Sequence, residues 1–117
     1  MLLQKCNGDI KKSSWGKDVI CRKGDVLDSL CESGKAADCD HSFNKINCCN
    51  HGVALDNSKK CDWERKWYGV SANCGEGYVM AGACGSGNNL DCPHNSAHGA
   101  YCCPLKRMKG MDFLSLN

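Results

Sequence analysis

Twelve cysteines in 117 residues are the feature that most constrains the fold of this chain. Cysteine at this density marks a disulfide scaffold. Leu, Ile, Val and Phe together number only 19, under a fifth of the chain. So few large apolar side chains cannot bury enough surface to offset the entropy of ordering the backbone. We therefore expect cross-links to stand in for a large hydrophobic core.

The spacing of the cysteines favours disulfides over zinc. Structural zinc sites nearly always use Cys-x2-4-Cys pairs, whereas the close pairs in this chain are the vicinal Cys48-Cys49 and Cys102-Cys103. An even cysteine count suggests six bridges, which persist in an oxidising compartment. The sequence thus predicts a secreted, extracellular protein. The opening Met1-Leu2-Leu3 is too short for the apolar region of a signal peptide, so we expect a mature chain.

The second half of the chain repeats the first. A shift of 53 residues places Cys21, Cys31 and Cys39 on later cysteines, and eight of the 19 positions from Cys21 to Cys39 are then identical. The other correspondences are Trp15-Gly16 with Tyr68-Gly69, His41 with His94, Cys48-Cys49 with Cys102-Cys103 after one inserted residue, and Cys6 with Cys61 after a two-residue adjustment. We predict two six-cysteine modules, at residues 5–52 and 59–104, and a flexible basic tail at 105–117.

The local patterns favour strands and turns. Short β-type runs bounded by glycine or charge occur at 17–21, 24–27 and 77–80. A helix is suggested only at 62–68, where Trp63 and Trp67 lie four residues apart. The predicted fold class is therefore small, disulfide-rich and mainly β, with two tandem antiparallel modules related by a pseudo-twofold repeat and little helix.

Each module also presents Cys, then Gly-x-Val-Leu or Gly-x-Val-Met, then Cys ten residues after the first, and finally a closing Cys-Cys. The matching runs are 21–31 and 74–84. This framework resembles the Cys/His-rich C-terminal repeats of the LDL-receptor-degrading proprotein convertase, which are similar to the cysteine-rich domain of the resistin hormones. The stretches 39–48 and 92–102 are much shorter than in that family, so each module resembles a trimmed repeat.

The resemblance implies a small antiparallel β-sandwich with nested bridges in each module, and a domain that binds other proteins without doing chemistry. Spacing alone leaves 15 pairings open for six cysteines. The pairs that the resemblance implies are Cys6–Cys49, Cys21–Cys48, Cys31–Cys39, Cys61–Cys103, Cys74–Cys102 and Cys84–Cys92.

The strongest candidate for binding is the segment 59–68, which carries three aromatic and four cationic side chains. Indole rings stack on sugars or cations, and Lys and Arg recruit sulfate, phosphate or acidic proteins. Trp63 has no counterpart in the first module and is the preferred exposed contact. Trp15 and Tyr68 repeat, so we expect them in the core. The predicted binding residues are Lys59, Lys60, Trp63, Arg65, Lys66 and Trp67.

Catalysis and metal binding have little support in the sequence. Cys48-Cys49-Asn50-His51 is similar to part of a secreted phospholipase A2 helix, but Gly52 stands where that enzyme needs Asp. His41 and His94 each follow Asp-Cys-x, so with Asp38 and Asp91 they could ligate a divalent metal, although a turn also explains them. We expect no enzyme and no cofactor, and predict no metal site.

The sequence predicts a secreted binding protein that recognises an extracellular protein or glycan. A net charge of +2 is too weak to imply nucleic acid, and no apolar run is long enough to span a membrane. One alternative is a lectin or glycosaminoglycan binder that uses Trp63 and the neighbouring cations. The others are a toxin or antimicrobial protein that acts on membranes, or a protease inhibitor presenting 85–90. The segment 106–114 mixes cations with apolar residues and could contact a membrane or a partner, although a disordered end also explains it. The oligomeric state is left open.

Overall fold

A computed structural model describes residues 8–14, 16–32, 39, 44–50, 54–67, 69–86 and 91–106. These residues form seven β-strands and no helix, so the mainly β fold class is confirmed. Within the same ranges no helix is long and apolar enough to cross a membrane. The strands are β1 Asp9–Ser13, β2 Val19–Ile20, β3 Val26–Glu32, β4 Asn44–Cys49, β5 Asp62–Lys66, β6 Tyr78–Gly85 and β7 His98–Pro104.

The helix suggested at 62–68 was wrong, because these residues contain β5. Burial alternates along the first residues of β5, and the strand pairs with β7 from Asp62 opposite Cys102 to Lys66 opposite His98. Residues four apart share one side of a strand as well as one side of a helix. The spacing of the two tryptophans therefore could not distinguish the two structures.

The strands form two antiparallel sheets, one with the order β1-β4-β3 and the other with the order β2-β6-β7-β5. The expected sandwich within each half is not observed. Strands β1, β3 and β4 of the first half make one sheet, and β5, β6 and β7 of the second half contribute to the other. Strand β2 belongs to the first half of the chain but pairs with β6 of the second half, with Val19 opposite Ala83. Two packed layers therefore require both halves of the chain.

The two sheets share strand order and register over three strands. Cys48 lies opposite Asp9 in the first sheet, and Cys102 lies opposite Asp62 in the second. A β-bulge interrupts β3 between Leu27 and Ser29, and another interrupts β6 at the corresponding place. The backbone pairing of β5, β6 and β7 thus follows that of β1, β3 and β4.

A small core lies between the sheets. Ile46 of the three-stranded sheet has no exposed surface and packs with side chains of β2 and β6. The scarcity of large aliphatic residues is visible here, because cysteine and alanine complete the cluster. The buried members are Val19, Cys21, Ile46, Cys48 and Ala83, with Leu27 and Met80 packed against them.

Disulfides brace both sheets. The structure contains the pairs Cys21–Cys48, Cys31–Cys39, Cys61–Cys103, Cys74–Cys102 and Cys84–Cys92. These five coincide with the pairing that the family resemblance implies. Cys49 is also disulfide-bonded, and its implied partner, Cys6, lies outside the described residues. Two bridges span eight residues each, and two others span 27 and 28, so bridge lengths recur between the halves.

The segment that joins the halves is held against the end of β7. Leu55 pairs with Leu105, and the Lys106 N–H donates a hydrogen bond to the Ala54 carbonyl oxygen at 2.8 Å. The first two residues of the predicted tail, Leu105 and Lys106, thus form backbone pairs. Residues 107–117 lie outside the described residues.

Candidate ligand-binding face

Two large aromatic side chains, Trp63 and Tyr101, lie opposite each other on one face of the four-stranded sheet, the face that points away from the core. Trp63 lies opposite Tyr101, and Arg65 lies opposite Gly99, so these residues share one side of the sheet. Ala100, which is fully buried, lies on the other side, towards the core. We define the aromatic face as Ile20, Trp63, Arg65, Gly99 and Tyr101.

Trp63 is held by three neighbours on this face. Its ring centroid lies 5.0 Å from that of Tyr101, and the Arg65 Cζ lies 4.2 Å from the indole centroid. A Cβ at Gly99 would lie 3.0 Å from the Trp63 Cε3, so the glycine lets the indole approach β7 closely. Trp63 is half-buried, and its position is defined by packing. Aromatic and cation–π contacts of this kind stabilise by about 0.5–1.5 kcal/mol each.

Arg65 is engaged in an ion pair rather than left free for an anion. Its two terminal nitrogens donate hydrogen bonds to the two carboxylate oxygens of Asp18, at 3.0 and 3.2 Å. Only 13% of the Arg65 side chain is exposed. Asp18 immediately precedes β2, so this pair joins a strand of the first half to β5 of the second. Arg65 therefore positions Trp63 and β2, and its charge is largely satisfied.

The other predicted binding residues do not gather around Trp63. Trp67 is 66% exposed and follows the end of β5. Lys66 lies opposite His98, on the side of β5 away from the aromatic face. Lys59 and Lys60 are exposed and belong to the segment between the halves. Trp15 and Tyr68, which we expected in the core, lie outside the described residues.

A groove of about 300 Å³ continues the aromatic face beyond Tyr101. Its walls come from the loop after β2, the segment between the halves, and the centre and end of the four-stranded sheet. No sequence motif indicated this groove, because its residues are scattered along the chain. We define the linker groove by its apolar residues Ile20, Leu55, Tyr101 and Pro104 and its charged residues Arg22, Lys23, Asp25, Asp56 and Lys59.

Both carboxylates of the linker groove are already engaged. The Arg22 Nε donates a hydrogen bond to the Asp25 Oδ2 at 2.8 Å. Asp56 accepts hydrogen bonds from the Ser58 hydroxyl and from the Ser58 N–H, the latter at 3.0 Å. These two hydrogen bonds, the hydroxyl contributing most, hold the pKa of Asp56 below its usual 3.8.

The lysines of the groove are differently placed. Lys23 and Lys59 line it, and Lys106 is close enough to Asp56 that both Lys59 and Lys106 help to lower the pKa of that carboxyl. All three lysines are exposed, and among the described residues none has an acidic partner within 4 Å. The groove thus presents unpaired positive charge beside an apolar floor.

The remaining candidate positions do not assemble into a site in the described residues. His94 is exposed and, like Asn95, has a positive φ, which fits a turn. Among the described residues, no three or more His, Cys, Asp or Glu side chains lie together in a group that could hold a metal ion. Asp38, His41, residues 87–90 of the predicted inhibitor loop 85–90, and residues 107–117 lie outside those residues.

The chain was compared with protein-family models, curated proteins and solved structures, and none of the three comparisons found a match. The function must therefore be argued from the geometry of the aromatic face and the linker groove.

Proposed function

We propose that this protein is a secreted, non-enzymatic binding protein that recognises an extracellular protein or glycan through the aromatic face. One observation carries the proposal: the two sheets share a register but differ at equivalent outward positions. Trp63 and Tyr101 stand where the three-stranded sheet has Ile10 and Asn47. At these described positions the same strand pairing therefore presents an aromatic pair on the four-stranded sheet and none on the three-stranded sheet.

The core does not account for this aromatic pair. Ala83 and Ala100, on the opposite side of the same sheet, are fully buried, whereas Trp63 and Tyr101 are half-buried. Rings that are already fixed by neighbours lose little conformational entropy when a ligand packs against them. Aromatic side chains provide large contact areas to both sugars and proteins. The aromatic face is thus suited to recognition.

We also propose that the protein is secreted and that it consists of two related modules. Several disulfides in one small chain are typical of proteins that fold in an oxidising compartment. The halves repeat their cysteine spacing, their bridge lengths and the register of three strands. We propose that each half is one copy of a single module, and that the copies diverged on their outward faces. Divergent faces would let one chain hold two different partners.

The test replaces two residues of the aromatic face by the residues at the corresponding positions of the three-stranded sheet. The double variant Trp63→Ile/Tyr101→Asn carries side chains that the three-stranded sheet already accommodates in this register. Wild-type protein is first screened on an array of extracellular glycans and a panel of purified extracellular proteins. We expect the double variant to lose at least about tenfold in affinity for the ligand found. Isothermal titration calorimetry provides the measurement.

The matched control is Ile10→Ala on the other sheet, which should keep wild-type affinity. Disulfide mapping and thermal unfolding establish that each variant is folded. The proposal fails if the wild-type protein binds nothing on either screen, or if the double variant binds as tightly as wild type.

A further inference from the structure

We infer that the linker groove binds an acidic saccharide, a sugar that bears sulfate or carboxylate groups. The inference rests on the proposed function, because the groove continues the aromatic face at Tyr101. It adds a ligand class and further contacts, at Lys23, Leu55 and Lys59, which lie outside the aromatic face.

Charge is the first argument. Lys23, Lys59 and Lys106 come from three separate segments of the chain: the loop after β2, the segment between the halves, and the residues after β7. Lys23 and Lys59 line the same groove, and Lys106 is brought near Asp56 at its edge by the backbone hydrogen bond to Ala54. Only the Asp25 carboxylate has a cationic partner, Arg22, because Ser58 is neutral and leaves the charge of Asp56 in place. The three lysines outnumber this one remaining carboxylate, so the excess charge is positive. A site of this kind attracts an anion.

The shape and lining of the groove are the second argument. Ile20 is 42% exposed, and together with Leu55, Tyr101 and Pro104 it lines an apolar surface beside the lysines. A volume of about 300 Å³ falls at the lower end of ligand sites, which span roughly 300–1,000 Å³. Sugar rings combine apolar C–H faces with polar edges, so an acidic sugar can contact Tyr101 and the lysines together.

The backbone hydrogen bonds favour a saccharide over an extended acidic peptide. The Cys21 N–H donates to the Ala81 carbonyl oxygen at 2.8 Å, and the Asp56 N–H donates to the Pro104 carbonyl oxygen at 2.9 Å. The N–H groups of Asp25 and Lys59 are likewise engaged, with the carbonyl oxygens of Arg22 and Asp56. A peptide that adds to a sheet needs free backbone groups along an edge. These four donors are used, which favours recognition through side chains and ring contact.

The experiment compares two variants that each remove two lysines. Lys23→Ala/Lys59→Ala removes cations from the groove, and the control Lys12→Ala/Lys17→Ala removes two exposed lysines from elsewhere on the surface. The probes are a heparin-derived oligosaccharide, an unsulfated hyaluronan oligosaccharide, a neutral chitin oligosaccharide and a poly-glutamate peptide. Affinities are measured by calorimetry in low salt and in high salt.

We expect the wild-type protein to bind an acidic oligosaccharide, more weakly in high salt because screening reduces the attraction of exposed charges. The groove variant should bind at least about tenfold more weakly, whereas the control should stay within about twofold of wild type. The heparin and hyaluronan arms show whether sulfate is required. The neutral oligosaccharide should bind more weakly than either acidic one.

Three outcomes would overturn the inference: no binding of either acidic oligosaccharide, equal losses in the groove and control variants, or tighter binding of poly-glutamate than of any saccharide. Binding that is lost in Trp63→Ile/Tyr101→Asn but kept in the groove variant would leave the proposed function standing and reject the groove. Absence of any ligand on the wider screens would reject the proposed function itself.

Discussion

The two sheets share the pairing of three strands but carry different side chains on their outward faces. In the three-stranded sheet the equivalent positions hold Ile10 and Asn47, and in the four-stranded sheet they hold Trp63 and Tyr101. Since the backbone pairing is equivalent, the difference arises from side chains alone. Two disulfide-braced sheets with the same strand pairing can therefore present different surfaces without a change in register.

The inward faces differ as well. Ile46 is fully buried in the centre of the three-stranded sheet, where the four-stranded sheet has Ala100. Leu30 of β3, which is 40% exposed, corresponds to the fully buried Ala83 of β6. The small residues of the second sheet leave room for Val19 of β2, which completes the core. Apolar volume missing from one half is thus supplied by the other.

Glycine explains which sheet receives β2. A Cβ at Gly82 would lie 2.7 Å from the Val19 carbonyl oxygen, so β2 can approach β6 only where this side chain is missing. The equivalent position on β3 is Ser29. Residues 72–73, which correspond to β2 by the 53-residue shift, form no strand. The serine Cβ would obstruct an equally close approach at β3.

The largest losses in the free energy of unfolding are expected from removing, one at a time, two bridges at corresponding places in the halves, Cys21–Cys48 and Cys74–Cys102. Cys21–Cys48 spans 27 residues and Cys74–Cys102 spans 28, so loop entropy predicts a loss of about 3.5 kcal/mol for each. Cys21 and Cys48 also belong to the core, whereas Cys74 is half-buried. The Cys21→Ala/Cys48→Ala variant should therefore lose about 1–2 kcal/mol more than Cys74→Ala/Cys102→Ala. Urea unfolding gives both values, and equal losses would contradict the stronger role of the first bridge.

The exchange of Gly82 and Ser29 tests the docking of β2. Gly82→Ser should destabilise the fold by about 1–3 kcal/mol, because its Cβ meets backbone atoms of β2 that cannot move freely. Ser29→Gly on β3 should cost only about 0.5–1 kcal/mol, the entropic effect of glycine in a strand. Amide hydrogen exchange at Val19 and Ala83 reports the docking directly. Unchanged protection in Gly82→Ser would show that β2 tolerates the added side chain.

A smaller difference is expected from exchanging Arg and Lys at equivalent positions. Arg65→Lys keeps the charge but loses the two-point contact with Asp18 and the stacking on Trp63, at a cost of about 1 kcal/mol. Lys12→Arg at the corresponding position of β1 should change the free energy of unfolding by no more than about 0.5 kcal/mol. Thermal unfolding and tryptophan fluorescence are the measurements. Similar effects in both variants would mean that the Arg65 contacts add little.

The smallest effect concerns the pH dependence of the segment between the halves. The Ser58 hydroxyl and N–H lower the pKa of Asp56, so this carboxylate stabilises the fold above its usual pKa of 3.8. The contribution is lost as the pH falls through the lower pKa of the folded state. Asp56→Asn should therefore make stability less dependent on pH in acid, and Ser58→Ala should reproduce part of this change. Urea unfolding across the acidic range is the measurement; a steeper acid dependence in Asp56→Asn would be inconsistent with this account.

Several elements could be anticipated because their causes are local. The β-type runs at 17–21, 24–27 and 77–80 contain β2 or the beginnings of β3 and β6. Gly24 and Gly77, equivalent in the repeat, both have positive φ in the turns before these strands. The helix suggested at 62–68 failed because a four-residue aromatic spacing fits both kinds of structure.

The aromatic face could be anticipated only in part. Trp63 was identified by its lack of a counterpart, but its partner Tyr101 is distant in the chain and becomes a neighbour through the β5–β7 register. Arg65 was predicted as a binding residue, and the structure pairs it with Asp18, a contact that the sequence did not indicate. The linker groove was not anticipated, because Lys23 and Lys59 line one groove only when β2 pairs with β6 of the second sheet.

The sequence by itself determined that this is a cross-linked β protein with repeated cysteine spacing. Cysteine content, cysteine spacing and short strand patterns can all be read along the chain without knowing which distant segments are in contact. Only the tertiary structure decided where β2 pairs, which cations remain unpaired and which aromatic rings share a face. These features depend on strand register and on the close approach allowed by Gly82, and both arise from contacts between segments far apart in the chain.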